Sequence, residues 1–301
     1  MQDITVIILT LNEEIHIERC ITKLGNLAKK IYVIDCFSKD NTVSIAEKCG
    51  ATVIQHKWEG NHARQLNWAI DNIKIETKWV LRLDADEYLS DELIKEIENK
   101  LPSLADNISA IVLPLRRVFM GRIIKHGVND VAMIRLFKYG YVRCEERWMD
   151  EHMTLSEGES TTFINPFVDD NVNTLGFFTD KHNNYSIREA ITMLDNEIGL
   201  ISNDVHKNDK STFSKETLEK RKKKDKYARM PLFWRSFFYF CFRYFLRGGF
   251  LDGKEGFLWH FLQGWWYRTL VDAKILEIKK NCGTDKDKIK EYVKYHYNIE
   301  L

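Results

Sequence analysis

The stretch LRLDADEYLS, residues 81–90, ends an apolar, strand-like run with three carboxylates in four residues, Asp84, Asp86 and Glu87. Two aspartates one residue apart at a strand-to-loop corner can hold a hard divalent cation, and the cation can neutralise phosphate oxygens, so the pair points to a nucleotide-diphosphate ligand. A solvated turn capping a helix that starts at Ser90 would use the same residues, and a motif this short decides nothing alone. Two more polar clusters follow apolar runs: Thr10-Leu11-Asn12-Glu13 and Asp35-Cys36-Phe37-Ser38. In open α/β sheets ligands collect at the carboxyl ends of strands, which is where all three clusters fall if the runs are strands.

The elements that must position these clusters are legible. ITVIIL (4–9), IYVID (31–35), ATVIQ (51–55) and WVLRLD (79–84) alternate with amphipathic segments, which predicts an α/β fold with a mostly parallel sheet flanked by helices. Ile17, Cys20, Ile21 and Leu24 recur at helical spacing, and a helix from Asn41 to Lys48 stops at Gly50. QLNWAIDNI carries a third helix, and Ser90 followed by Asp91 and Glu92 starts a fourth, with negative charge at its positive end. Beyond Pro102, SAIVLPLRRVFMGRI and VAMIRLFKYGYVRC predict strands with glycine turns, and helical periodicity takes over from about Ser186.

Composition narrows the classes. The 301 residues are 44% hydrophobic and 30% charged, enough for a sizeable core. Lys plus Arg at 45 nearly cancel Asp plus Glu at 44, which gives no argument for a nucleic-acid partner. The six cysteines are scattered, with neither CxxC pairs nor zinc-site spacing, and read as reduced cytosolic thiols. MQDITVIILTLNEE has no basic start or cleavage site and reads as a first buried strand. No GxGxxG follows a strand, and P-loop, HExxH and GxSxG motifs are absent from the sequence.

Taken in order, TVIILTLNEE, IYVIDCFSKDNTVSIAEKCGATV, ARQLNWAI and WVLRLDADEYLS resemble the family 2 glycosyltransferases, above all the bacterial branch that builds lipopolysaccharide core and capsule. The resemblance is strong over the first hundred residues and continues more faintly through ERWMDEHM and HNNYSIREA to RGGFLDGKEGF. It implies a GT-A fold, Rossmann-like, and an inverting transfer from a nucleotide-sugar with a Mn or Mg ion. The change of architecture near Asn184 bounds the expected catalytic domain at residues 1–184, with a donor half (1–100) and an acceptor half (101–184), followed by a helical, basic and aromatic region over 185–301 expected to associate with membrane.

The resemblance also implies site residues. Thr10, Asn12 and Glu13 match the first donor-binding loop, Asp35 the aspartate that reads the base edge, and Ser38 lies in the same loop. Arg64, Gln65 and Asn67 match a polar helix start that flanks the donor. Asp86 is implied as the direct metal ligand and Asp84 as the contact to ribose or the outer metal shell. The commoner loop reads VDSGSTDGT; Cys36, Phe37 and Lys39 depart from it, which leaves the base open, with uridine as the default. An inverting transfer needs a carboxylate to take the proton of the acceptor hydroxyl. Asp150-Glu151 stands where the branch usually has a His-Glu pair, so Glu151 is the matching base, Asp150 the alternative, and His152 a candidate to complete the metal site.

In the C-terminal region seven of the ten residues 220–229 are Lys or Arg, and two aromatic segments follow, PLFWRSFFYFCFRYFLRGGF and GFLWHFLQGWWYRTL. Arg235, Arg243 and Arg247 interrupt the first and the second is short, so neither supplies the roughly 20 apolar residues of a membrane span. Basic and aromatic residues together suit helices lying on an anionic headgroup surface, while a helical hairpin packed on the rest of the chain needs the same aromatic residues. The expectation is a cytoplasmic protein peripheral to the inner face of the cell membrane, acting on a glycan or lipid-linked acceptor. A homodimer is another use of the aromatic surface, and a nucleic-acid partner is not expected. Two rivals stand beside it. A sugar-1-phosphate nucleotidyltransferase needs a glycine-rich loop that TLNEEIHIERC lacks. The second is a catalytically inactive scaffold binding membrane or partner.

Overall fold

Seven consecutive buried residues, Ile4–Thr10, make the first strand, β1, and explain the rest of the N-terminal sheet. A strand buried on both faces lies in the middle of a sheet with helices above and below, and its side chains serve the two layers alternately. The computed structural model, which describes residues 1–128, 131–146, 152–201 and 227–301, has this arrangement. Ile4, Val6 and Ile8 pack with Ile17, Cys20 and Leu24 of the first helical segment and with Leu93 and Ile97. Ile7 and Leu9 pack on the other side with Leu66, Ala69 and Ile70. Burying each such aliphatic side chain favours the fold by about 1.5–3 kcal/mol.

The remaining strands of the unit are β2 (Lys30–Asp35), β3 (Thr52–Gln55), β4 (Trp79–Asp84), β5 (Glu87–Leu89), β6 (Ile108–Phe119), β7 (Arg122–Ile123), β8 (Ala132–Lys138), β9 (Val142–Cys144), β10 (Met153–Leu155), β11 (Glu159–Thr162) and β12 (Phe167–Asp170). The main sheet runs β3-β2-β1-β4-β8-β6-β12-β5, with β7 and β11 also paired to β6, and β9 and β10 form a separate antiparallel pair. From β3 to β4 every pairing is parallel, as the alternating pattern predicts. The second half is mixed: β8 lies antiparallel to both β4 and β6, β12 is parallel to β6, and β5 is antiparallel to β12. The expected mostly parallel sheet is therefore parallel in its donor half and mixed beyond it.

The helices α1 (Ile17–Thr22), α2 (Thr42–Lys48), α3 (His62–Asn72) and α4 (Asp91–Lys100) connect the strands. Caps define the two longer ones. The Asn61 side chain accepts the Arg64 N–H at α3 (3.1 Å), and the Ser90 hydroxyl accepts the Leu93 N–H at α4 (3.2 Å). The sequence pattern places the third helix from Gln65, three residues later than the structure does, because the polar first turn His62-Ala63-Arg64 carries no apolar signal.

The chain divides into two compact units at Asn173 and Thr174. The second unit opens with α5 (Leu175–Ile198), whose Thr174 cap accepts the Phe177 N–H (3.2 Å). Residue 184, where the composition shifts, lies inside this helix; its first turns, LGFFTDKHNN, lack aliphatic periodicity and hide the start. Among the described residues the α-helices that follow are α6 (Trp234–Cys241), α7 (Gly253–Trp259), α8 (Tyr267–Cys282) and α9 (Lys286–Tyr297). Ile187, Ala190, Ile191 and Leu194 of α5 pack with Val271, Ile275 and Ile278 of α8 and with Ile289 and Val293 of α9.

RGGFLDGKEG forms the expected turn between helices, and its glycines answer to close approach. A Cβ on Gly249 would stand 2.5 Å from His260, and one on Gly256 would stand 2.5 Å from the Asp252 Cβ. Two of the three arginines of the first aromatic segment, Arg235 and Arg243, are buried, while Arg247 is exposed. Arg235, 2% exposed, bonds Asp272 Oδ1 through Nε (2.7 Å) and the Ala228 carbonyl through Nη1 (2.9 Å). Buried Arg243 donates to Gln263 Oε1 (2.7 Å). The opposite side is aromatic and exposed: Trp234 60%, Phe238 51%, Phe242 48% and Phe245 58%. Among the described residues no helix is long and apolar enough to cross a membrane.

Candidate functional site

The parallel register brings the three polar clusters to one edge. Leu9 pairs with Asp84 and Thr10 with Asp35, so the ends of β1, β2 and β4 stand side by side at the spacing of neighbouring strands, about 4.8 Å. The loops that leave β1 and β2 are bound to each other. The Asn12 N–H donates to Ser38 Oγ (2.8 Å), the Lys39 N–H donates to Asn12 Oδ1 (2.9 Å), and the Glu13 N–H donates to Thr42 Oγ1 (2.8 Å). Both loops carry a non-glycine residue in the left-handed region, Asn12 at φ +55° and Phe37 at φ +61°. Asparagine tolerates that conformation; a phenylalanine there is strained.

Asp35 organises this edge. It has no exposed surface, and its carboxylate accepts from the Ser38 N–H (2.9 Å), Ser38 Oγ, Gln55 Nε2 (3.3 Å) and Thr10 Oγ1 (3.3 Å). Four donors fill the acceptor capacity of a carboxylate. Gln65 is likewise fully buried, holding His56 Nδ1 (2.8 Å) and Cys36 Sγ (3.2 Å). Asn67 forms a two-way bridge to the Cys144 backbone, donating at 2.8 Å and accepting at 3.0 Å, and Arg64 Nε pairs with Glu146 Oε2 (3.1 Å). These α3 side chains thus hold the second loop and the chain that leads from β9 toward residue 147.

At the end of β4 the carboxylates separate by environment. Asp84 accepts from Arg82 Nη2 (2.9 Å) and Arg135 Nη2 (3.3 Å), and its N–H donates to Glu87 Oε2 (3.0 Å). Burial opposes its ionisation, yet Arg82 and Arg135 together hold its carboxyl well below the usual carboxylate range. Glu87 is buried against Arg135; burial, with the Asp84 charge adding to it, pushes its carboxyl above the usual carboxylate range against the pull of Arg135. The Arg135 guanidinium, 3% exposed, lies 5.0 Å over the Phe167 ring.

Asp86, half-buried, is differently placed. Its Oδ2 accepts from Asn171 Nδ2 (2.9 Å), its carbonyl accepts the Asp170 N–H (3.1 Å), and its Oδ1 has no hydrogen bond among the described residues. Asp169 of β12 pairs with Glu87 across the sheet; burial raises its carboxyl from the ordinary value, and Arg117 Nε (3.2 Å) opposes the rise. Arg19 of α1 ties down Asp170 (2.6 Å). Buried His16 links Glu13 Oε2 (2.6 Å) to the Val172 N–H (2.9 Å), which joins the β1 loop to the chain after β12.

His152 is exposed, its carbonyl accepting the Glu145 N–H (2.8 Å) at the start of the β9–β10 pair, while Asp150 and Glu151 lie outside the described residues. Sequence reasoning missed His16, Arg82, Arg135, Asp169 and Asn171. The arginines inside the apolar runs WVLRLD and MIRLFK, Arg82 and Arg135, are the visible signals among them, because a strand buries such a charge only against a partner. Among the described residues no three His, Cys, Asp or Glu side chains are arranged to hold an ion by themselves. The residues fit instead the way Mg and related cations are held in phosphate sites, by one or two carboxylates plus the oxygens of the substrate.

Residues 5–139 match the domain described as Glycosyl transferase family 2, and this part of the chain is a glycosyltransferase domain. An uncharacterized glycosyltransferase of Rickettsia bellii is 43% identical over 95 residues, 32% of this chain and 31% of that protein. One from Rickettsia felis is 41% identical over 98 residues, 33% and 34% of the two chains. The chain thus spans about a third of the length of these relatives. Among solved structures, glucosyl-3-phosphoglycerate synthase from Mycobacterium tuberculosis, in complex with Mn2+, uridine diphosphate and glucosyl-3-phosphoglycerate, is 21% identical over 39% of this chain and 44% of that one, with a TM-score of 0.31.

Proposed function

We propose that this chain, which carries a family 2 glycosyltransferase domain over residues 5–139, transfers a sugar with inversion from a nucleotide-sugar, by default a uridine one, to a glycan or lipid-linked acceptor of bacterial surface polysaccharide, lipopolysaccharide core or capsule. The observation that carries the reading is the division of labour at the end of β4: Asp84 is locked ionised by two arginines, while Asp86 keeps one oxygen unengaged among the described residues. Asp86 would bind Mn or Mg directly and Asp84 would lie in its outer shell or meet the ribose. The ion, when bound, supplies charge that stabilises the leaving diphosphate. Thr10, Asn12, Glu13 and Ser38 shape the donor loops, with Asp35 and Gln65 holding them from beneath, and Arg64 and Asn67 hold the approach to residues 147–151. Glu151 is the proposed base that takes the acceptor proton, Asp150 the alternative, and His152 a further candidate ligand.

Calorimetric titration with uridine, guanosine, cytidine and thymidine diphosphates, with and without Mn, tests the donor site. The expected result is tight binding of one base class, lost when the metal is chelated. Binding of none of them by the folded protein would overturn the reading in favour of the scaffold.

The same proposal places the chain on the cytoplasmic leaflet. Support comes from the exposed aromatic side chains of Trp234, Phe238, Phe242 and Phe245, with Arg235 and Arg243 buried, and from the seven basic residues in 220–229 that precede them. Aromatic side chains of this kind insert at the headgroup boundary, and each basic residue near an anionic surface adds about 1 kcal/mol. In flotation with vesicles containing anionic lipid, the full chain is expected to rise with the lipid, and the double variant Trp234→Ser/Phe238→Ser to remain largely behind. No binding at low salt would remove the membrane claim, and a dimer dissociated by the double variant would assign the face to a second copy instead.

A further inference from the structure

We infer that Phe37 is the platform on which the base of the donor nucleotide stacks, an inference that rests on the nucleotide-sugar reading above. Three observations converge on it. Phe37 stands at the position that is glycine in the commoner VDSGSTDGT loop, and its backbone is held in the left-handed region, φ +61°, where glycine sits freely and a bulky side chain does not. Its side chain gains little from the protein in return, since the residue is 53% exposed. Its neighbours fix it at the ligand-gathering edge of the sheet: the Cys36 N–H donates to the Thr10 carbonyl (3.0 Å), and Ser38 Oγ accepts the Asn12 N–H (2.8 Å).

An exposed aromatic residue kept in a strained conformation by an over-determined loop stores strain at a place where something other than folding uses the ring. What binds at this edge is a nucleotide, and the part of a nucleotide an aromatic face recognises is the base. With Asp35 saturated by four donors, the loop has no free carboxylate to read the base edge, and stacking is the contact it can still offer. Stacking tolerates any base, so Phe37 supplies affinity, and the choice among bases falls to other groups.

The prediction separates binding from stability. Phe37→Gly removes the strain, so its unfolding midpoint should be no lower than that of the wild type. Its dissociation constant for the nucleoside diphosphate that the wild type binds most tightly should rise about tenfold, within the range of one base–aromatic stack. Phe37→Leu, apolar without a π-face, should bind as weakly as the glycine variant, and Phe37→Trp or Phe37→Tyr should restore binding to within about threefold. Competition by inorganic pyrophosphate, which has no base, should be unchanged throughout. Wild-type affinity in Phe37→Gly, or a glycine variant that unfolds, overturns the inference while leaving the donor site standing. A wild type that binds no nucleotide overturns the donor reading itself.

Discussion

Asp86→Asn is expected to abolish metal-dependent donor binding and to lower turnover about a thousandfold while the protein stays folded. The magnitude follows from the several kcal/mol that a cation supplies to a leaving phosphate, at 1.4 kcal/mol per factor of ten. The substitution removes the ionised oxygen and leaves the shape. The contact that Asn171 Nδ2 makes with Asp86 and the backbone bond from Asp170 can both persist, so the sheet end is held. Chelation of the wild type should reproduce the defect, and added Mn should not repair the variant. A variant that turns over within tenfold of the wild type would relocate the metal away from β4. Asp84 offers the contrast: its neutralisation strands Arg82 and Arg135 beside each other, so Asp84→Asn should cost stability as well as activity.

The second large effect lies in the helical unit. Asp272→Ala should destabilise that unit by about 3–5 kcal/mol, because it leaves the buried Arg235 guanidinium without its carboxylate and the Phe233 N–H without its acceptor, Asp272 Oδ2 at 2.7 Å. Chemical denaturation monitored by tryptophan fluorescence reads the change, since Trp234 follows Phe233 directly. Replacing both partners by apolar side chains of similar volume, Arg235→Met with Asp272→Leu, should recover most of the loss, because no charge is then left buried. A single variant as stable as the wild type would show that the pair carries no such weight.

The fold and the site were legible in unequal measure, and the difference is physical. Parallel strands buried on both faces are runs of aliphatic residues, and β1, β2 and β4 fall where ITVIIL, IYVID and WVLRLD place them, to within a residue. The motif DADE announced charge at a strand end. What it could not announce was the sorting of that charge, because Arg135 and Asp169 come from strands some 50 and 85 residues further along and reach Asp84 and Glu87 through sheet pairing. Nor could the sequence show that Asp35 and Gln65 are fully buried and hydrogen-bonded within the protein. The inward turn of Arg235 and Arg243 was equally hidden, since sequence shows that a helix carries arginine and not which side its partner occupies.

The two loops that leave β1 and β2 meet through Asn12, Ser38, Lys39 and Thr42, and Asp35 is bonded to Thr10 across the strands. Groups sharing a hydrogen-bond network do not change their energies independently. If the proposed donor site is right, redesign of its nucleotide preference is therefore a two-loop problem. Exchanging residues 36–39 alone would leave the Asn12 N–H without the Ser38 hydroxyl that accepts it, while Glu13 stayed bonded to Thr42 beyond the exchanged segment, so the useful unit of transplantation is residues 10–13 together with 35–42.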